Sequence, residues 1–174
     1  MSEKKGIDPR AADVVKQMAR KLQDDIASFG RYRRLVPKTV PQFRDIRNIF
    51  REIDGLIFAI QERLPDVANK LPPNFGQWVV RQKLNSLAIF TDISHAFIQT
   101  PPIALTQSLG AFALLETEHA SFTEVLSYFD MLIMEAGIDD KTADELDATR
   151  VKIEEVLKMI DELLKSSPKV LQEF

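Results

Sequence analysis

The chain has only two histidines, and each follows a carboxylate by three positions: Asp92-Ile93-Ser94-His95 and Glu116-Thr117-Glu118-His119. On a helix, residues three apart share a face, so each triplet presents an acid beside an imidazole. Helical-bundle enzymes with two metal ions use such pairs on two helices, completed by a glutamate from each of two others. Asp92, His95, Glu116 and His119 are therefore the candidate metal ligands. Glu116 and His119 continue the apolar stripe of Leu109 and Phe112, as inward-facing ligands would. Other features oppose a metal. Asp92 is shorter than the usual glutamate and lies on a polar helix edge. Glu52, the acid placed to complete a set, lies off the apolar ladder of its own helix. With 26 acids in 174 residues, an acid three before a histidine is commonplace. A metal-dependent bundle enzyme is thus the third reading, and no cofactor is expected.

A second grouping is basic. From Arg31 to Arg51 there are seven lysines and arginines and a single acid, Asp45. Arg31, Arg33, Arg34 and Lys38 lie in a linker, and Arg44, Arg47 and Arg51 recur at i, i+3 and i+7 as a stripe on the polar face of a helix. With Tyr32 as a stacking surface, such a run can hold a phosphate backbone. No helix-turn-helix signature, RNA-binding consensus or zinc-ligand spacing supports a nucleic-acid fold, and the net charge is −3. Charge is split along the chain. Residues 1–83 hold 17 Lys/Arg against 10 Asp/Glu, and residues 84–174 hold 6 against 16. The stripe is therefore expected either to meet an acidic partner or to pair with the chain's own acidic half. Arg33, Arg34, Lys38, Arg44, Arg47 and Arg51 are the candidate partner-binding residues.

Recognised enzyme motifs are missing. There is no phosphate-binding loop, dinucleotide-binding glycine pattern or nucleophile elbow. Ser94 and Ser108 read as mid-helix hydroxyls, and the pair Asp139-Asp140 reads as solvated surface and helix capping. With no cysteine there is no disulfide scaffold, thiol nucleophile or thiolate metal site.

The elements that position these residues follow from periodicity and punctuation. Asp8 and Pro9 open a first helix with Val15, Met18, Leu22, Ile26 and Phe29 on one face, stopping near Gly30. A second begins at Pro41 with the ladder Phe43, Ile46, Phe50, Ile53, Ile57, Ile60, Leu64. Pro65 begins a further turn, and residues 71–76 form a loop. From Trp78 to Ile98 the chain is apolar on almost every side, leaving a narrow polar edge of Arg81, Asn85, Asp92 and Gln99. Such a helix is enclosed by others, because its charged residues argue against a membrane. This makes it the hub, with Trp78 as a core anchor. A fourth helix from about Pro102 carries Leu105, Leu109, Phe112 and Leu115 inward. The capping box Ser121-Phe122-Thr123-Glu124 favours a fifth helix over one long, bent helix reaching Ala136. A second box, Thr142-Ala143-Asp144-Glu145, opens a sixth with the seam Leu146, Thr149, Ile153, Val156, Ile160, Leu163. That seam suits a dimer or the chain's own core.

With 45% hydrophobic and 28% charged residues, the composition is that of a globular protein. The expectation is an all-α, single-domain antiparallel helical bundle of five to six helices with a buried central helix, spanning 1–174 with frayed tails at 1–7 and 167–174. No signal-peptide core or membrane span is found, so the cytoplasm is the expected location and no membrane partner is expected. The leading function is a non-enzymatic protein–protein interaction or regulatory module, engaging an acidic partner through a basic face or pairing with itself as a homodimer. Nucleic-acid or polyanion binding through Arg31–Arg51 is the alternative.

Overall fold

The computed structural model describes residues 10–166. Among them lie seven α-helices and no strand, so the chain is all-α. They are α1 (Ala11–Phe29), α2 (Val40–Gln61), α3 (Leu64–Val67), α4 (Phe75–Gln99), α5 (Ile103–Gln107), α6 (Leu109–Ala136) and α7 (Asp140–Ser166). Five are long, and α3 and α5 are single turns. The 3-10 turn Gly30–Arg34 extends α1, and a second, Ala68–Lys70, follows α3. The expected start at Asp8-Pro9 and both tails lie outside the described residues. No helix is long and apolar enough to cross a membrane among these residues.

The apolar hub is α4, which packs against α7, α2, α6 and α1. Thirteen of its residues are buried, from Val79 to Ile98. They include the small polar Ser86, Thr91 and Ser94, which let neighbouring helices approach closely. Trp78 departs from expectation. It is only half-buried, at the first turn of α4, where its ring meets Phe75 at 5.4 Å. The deep anchors are instead phenylalanines. Phe43 stacks on Phe97 and Phe50 on Phe90, each with ring centres 4.4 Å apart, and Phe122 lies 5.8 Å from Phe90. Phe29 joins at 6.3 Å from Phe50. The column takes rings from α1, α2, α4 and α6. Offset ring pairs of this kind add about 0.5–1.5 kcal/mol beyond their buried area.

Helix ends follow side-chain chemistry. Thr39 accepts a hydrogen bond from the Gln42 N–H at 3.3 Å, and Gln42 Oε1 accepts one from the Lys38 N–H at 2.9 Å. Two otherwise unmet amides are thereby satisfied as α2 begins. Asp139, one turn before the expected box, caps α7 by accepting from the Thr142 N–H at 2.8 Å. Hydrogen bonding from the backbone and then the side chain of Thr142 holds the Asp139 carboxyl below its usual value. Ser108 is not mid-helix: its Oγ accepts from the Ala111 N–H at 3.2 Å and starts α6.

The expected break at Ser121 does not occur, and α6 runs unbroken from Leu109 to Ala136. Ser121 donates to the Thr117 carbonyl at 2.9 Å, satisfying its hydroxyl inside the helix rather than at an end. The apolar face also crosses the supposed junction, with Leu114, Leu115, Phe122, Phe129 and Leu132 all buried. α6 ends at Gly137, whose backbone is left-handed at φ 55°. Arg81 seals this end by donating to the carbonyls of Ala136 and Gly137 at 2.9 and 2.8 Å. The seam of α7 faces α4 and α6 with Thr149, Ile153, Val156 and Ile160 buried, so it packs on the chain's own core.

Candidate functional site

The basic stripe of α2 divides residue by residue. Arg44 stays exposed and donates to the Gly110 carbonyl at 3.1 Å, at the start of α6. Arg47 turns inward. Its side chain is 12% exposed and forms an ion pair through Nε with Glu118 of α6, which is 2% exposed. Arg51, one turn on, is exposed and makes no ion pair among the described residues. The polar-face placement expected for all three thus fails at Arg47, because α6 lies across that part of α2.

Burial dominates the Arg47–Glu118 pair. It pushes the Glu118 carboxyl up to about 7, against the opposing pull of Arg47 and Arg51. It also lowers Arg47 from its usual value, although Glu118 stabilises the cation. Desolvation of two charges outweighs their attraction, as is common for buried pairs. Nη2 of Arg47 is buried with no hydrogen-bond partner.

The pair borders a cleft of about 170 Å³ between α2, α4 and α6. Phe50, Leu87, Phe90 and Val125 give it apolar walls. Arg51, Asp54, Lys83, Glu124 and Tyr128 line the rest. Lys83 reaches Asp54 at 3.6 Å and sits over the Tyr128 ring at 5.4 Å. The Tyr128 hydroxyl is raised by burial, then by Asp54 and Glu124.

Arg33 is committed elsewhere. It donates to Asp92 at 2.5 Å, and Lys152 of α7 donates to the other carboxylate oxygen at 2.5 Å. Burial pushes the Asp92 carboxyl up, but the bonds from Lys152 and Arg33 prevail and hold it below its usual value. One carboxylate therefore ties the 3-10 turn, α4 and α7 together. A second and wider cleft, of about 520 Å³, lies beside it, with Arg33, Arg81, Leu84, Asn85 and Leu146 among its lining residues.

The four candidate metal ligands are not brought together. Asp92 is held by the two cations above. His95 Nε2 meets Glu155 of α7 at 2.8 Å, and His119 Nε2 meets Asp161 of α7 at 3.2 Å. Glu116 is exposed. The inward stripe of α6 runs through Ala111, Leu114, Leu115, Glu118 and Phe122. The expected stripe was therefore misplaced. Phe112 is only half-buried, and Glu116 points away from the core. No cluster of three or more histidine, aspartate or glutamate side chains able to hold a metal exists among the described residues.

No family model matches this chain, and no curated protein or solved structure matches it significantly. The geometry therefore carries any functional argument alone.

Two features escaped the sequence reading. Glu118 is one, although its signal was present: it falls three after Leu115 and four before Phe122, so an acid occupies an apolar ladder. Dividing α6 at Ser121 concealed that spacing. The other is an exposed apolar pair inside the basic linker that the sequence had singled out, where Arg31, Arg34 and Lys38 are exposed and make no ion pair among the described residues. Between them Leu35 is 58% exposed and Val36 49% exposed. Leu35 has an extended backbone, φ −94° and ψ 121°.

Proposed function

We propose that the chain is a single-domain, antiparallel helical bundle acting in the cytoplasm as a non-enzymatic interaction module, and that its binding edge is the segment from Arg31 to Lys38. The observation that carries this is the pairing of two exposed aliphatic side chains, Leu35 and Val36, with Arg31, Arg34 and Lys38, cations that make no ion pair among the described residues. Large aliphatic groups left in water beside free charge suit a partner that offers both an apolar contact and carboxylates. Arg33, Arg44 and Arg47 are spent on internal partners, so the edge is narrower than the run to Arg51. The fitting partner is an acidic protein segment with one or two apolar residues.

The test is capture by the natural chain and by an Arg34→Glu, Leu35→Ser, Lys38→Glu variant, which alters exposed positions only. An acidic protein held by the first, released by moderate salt and lost by the second supports the proposal. Equal capture by both removes it. Retention of nucleic acid instead, in a gel shift that weakens steeply with salt, selects polyanion binding.

A further inference from the structure

The cleft of about 520 Å³ lies between α4, the 3-10 turn after α1 and the first turns of α7. That volume falls in the range of small-molecule sites. Its two ends differ in charge. At one end stands Arg33, whose side chain is 47% exposed and gives only its Nε to Asp92. Arg33 and Lys152 share that single carboxylate, so the trio carries one net positive charge. Thr149, one turn before Lys152 on α7, lines the same cleft. It is 8% exposed, and its hydroxyl makes no hydrogen bond among the described residues. Thr100 and Thr117 donate to the carbonyl four residues back, as helical threonines commonly do. Thr149 leaves that bond unmade, an almost buried hydroxyl at the wall of a cleft.

One turn earlier on α7, Glu145 lines the cleft, is exposed and makes no ion pair among the described residues. Asp139 stands beyond it, capping α7. Arg81, the other cation lining the cleft, is taken up by the carbonyls of Ala136 and Gly137. Between the two ends Asn85 holds a carboxamide that makes no hydrogen bond among the described residues, and Leu84 and Leu146 give apolar walls.

We propose that this cleft binds a dipeptide with free ends and an aliphatic side chain. Its carboxylate meets the Nη groups of Arg33 and the Thr149 hydroxyl, and its ammonium meets Glu145. The Asn85 carboxamide, with an acceptor and two donors in one plane, pairs with the peptide bond, and the aliphatic side chain lies on Leu84 and Leu146. Charge selects the ligand class. A simple anion is repelled by Glu145 and Asp139, and a simple cation by Arg33 and Arg81, whereas a zwitterion suits both ends. Length selects the dipeptide. Glu145 and Thr149 are four residues apart, which is about 6 Å along the axis of α7. An extended dipeptide spans at most about 7 Å. A free amino acid carries both charges on one carbon and falls short, and a tripeptide at about 10 Å overruns. None of the residues altered to test the Arg31–Lys38 edge lines this cleft, so the two proposals stand separately.

The experiment titrates the full chain with glycyl-leucine at pH 7 and constant ionic strength, read by amide chemical shifts and calorimetry. Saturable shifts centred on Asn85, Leu146 and Thr149 are expected. N-acetylation and C-terminal amidation of the dipeptide should each weaken binding about tenfold, the loss of one charge-assisted hydrogen bond. Glu145→Gln, at an exposed position, should weaken glycyl-leucine by the same factor and leave the N-acetylated form unaffected, which a merely structural role would not do. Thr149→Val keeps the shape and removes a hydroxyl without an internal partner, so the fold stays intact while binding weakens several-fold. The proposal is overturned if glycyl-leucine fails to saturate up to about 100 mM, two decades above a millimolar Kd. It is equally overturned if both blocked forms bind as well as the free dipeptide, if leucine or glycyl-glycyl-leucine binds as tightly, or if shifts scatter over surface charges.

Discussion

Replacing Glu118 by glutamine should abolish most of a pH dependence that the natural chain carries. Glu118 is enclosed between α6 and α2, and its carboxyl is raised from 4.5 to about 7, chiefly by burial. Between those values the folded protein holds a proton that the unfolded chain has released. Stability contributed by the protonated form is therefore complete below pH 4.5 and is lost as pH rises through about 7. At 1.36 kcal/mol per pH unit, the loss from this group is roughly 3 kcal/mol. Glutamine has nearly the same shape, keeps an oxygen for Arg47 and cannot ionise. Other titrating groups are common to both proteins and cancel in the comparison. Urea unfolding of the two proteins at several values between pH 5 and pH 8.5 gives the difference directly. The variant should gain roughly 3 kcal/mol on the natural chain across that range. Parallel profiles, or a natural chain that gains on the variant as pH rises, would show that attraction to Arg47 outweighs desolvation and refute the reasoning.

Three further outcomes are expected. Gly55→Ala fills open space in the middle of α2, with no atom within 4 Å of the new methyl. It should stabilise by about 1 kcal/mol and raise Tm by roughly 2–4 °C in a calorimetric scan. Gly137→Ala places a side chain on a left-handed backbone, with its Cβ 2.7 Å from Gln77 Nε2. The strain should cost about 1 kcal/mol, most of it persisting when Gln77 is also shortened to alanine, because the backbone rather than the contact is at fault. Asp92→Ala removes the carboxylate shared by Arg33 and Lys152. It should cost on the order of 1–3 kcal/mol in urea unfolding at pH 7. The deficit should shrink as pH falls through and below the usual carboxylate range, where the depressed Asp92 group finally takes its proton.

Long, strongly periodic segments were legible in the sequence. The α2 ladder from Phe43 to Ile60, with Phe50 alone half-buried, and the α7 seam from Thr149 to Ile160 are buried as their spacing requires. The all-round apolar character of α4 correctly marked it as the hub. The misreadings came from local signals overridden by packing. Ser121-Phe122-Thr123-Glu124 has capping-box chemistry, yet a buried face spanning it holds α6 straight. Trp78 is the bulkiest apolar residue of α4, but at its first turn fewer neighbours remain to enclose it. The candidate site was harder to read because its partners are far apart in the chain. Arg47 on a polar stripe resembles its neighbours until α6 is laid across it, and Glu118 stands 71 positions later. Periodicity within one helix cannot reveal which residue of another will face it.

The phenylalanine column has a bearing on synthesis. Its rings come from positions 29, 43, 50, 90, 97 and 122, so the last arrives 93 residues after the first. At about 5–20 residues per second, translation leaves the earlier rings without their final neighbour for roughly 5–20 s. The number of rings awaiting Phe122 rises over that interval from one to five, the fifth being made 25 residues before the last. Chaperone engagement before residue 122 emerges, and clumping of fragments that stop short of it, are the costs of a core shared among four helices.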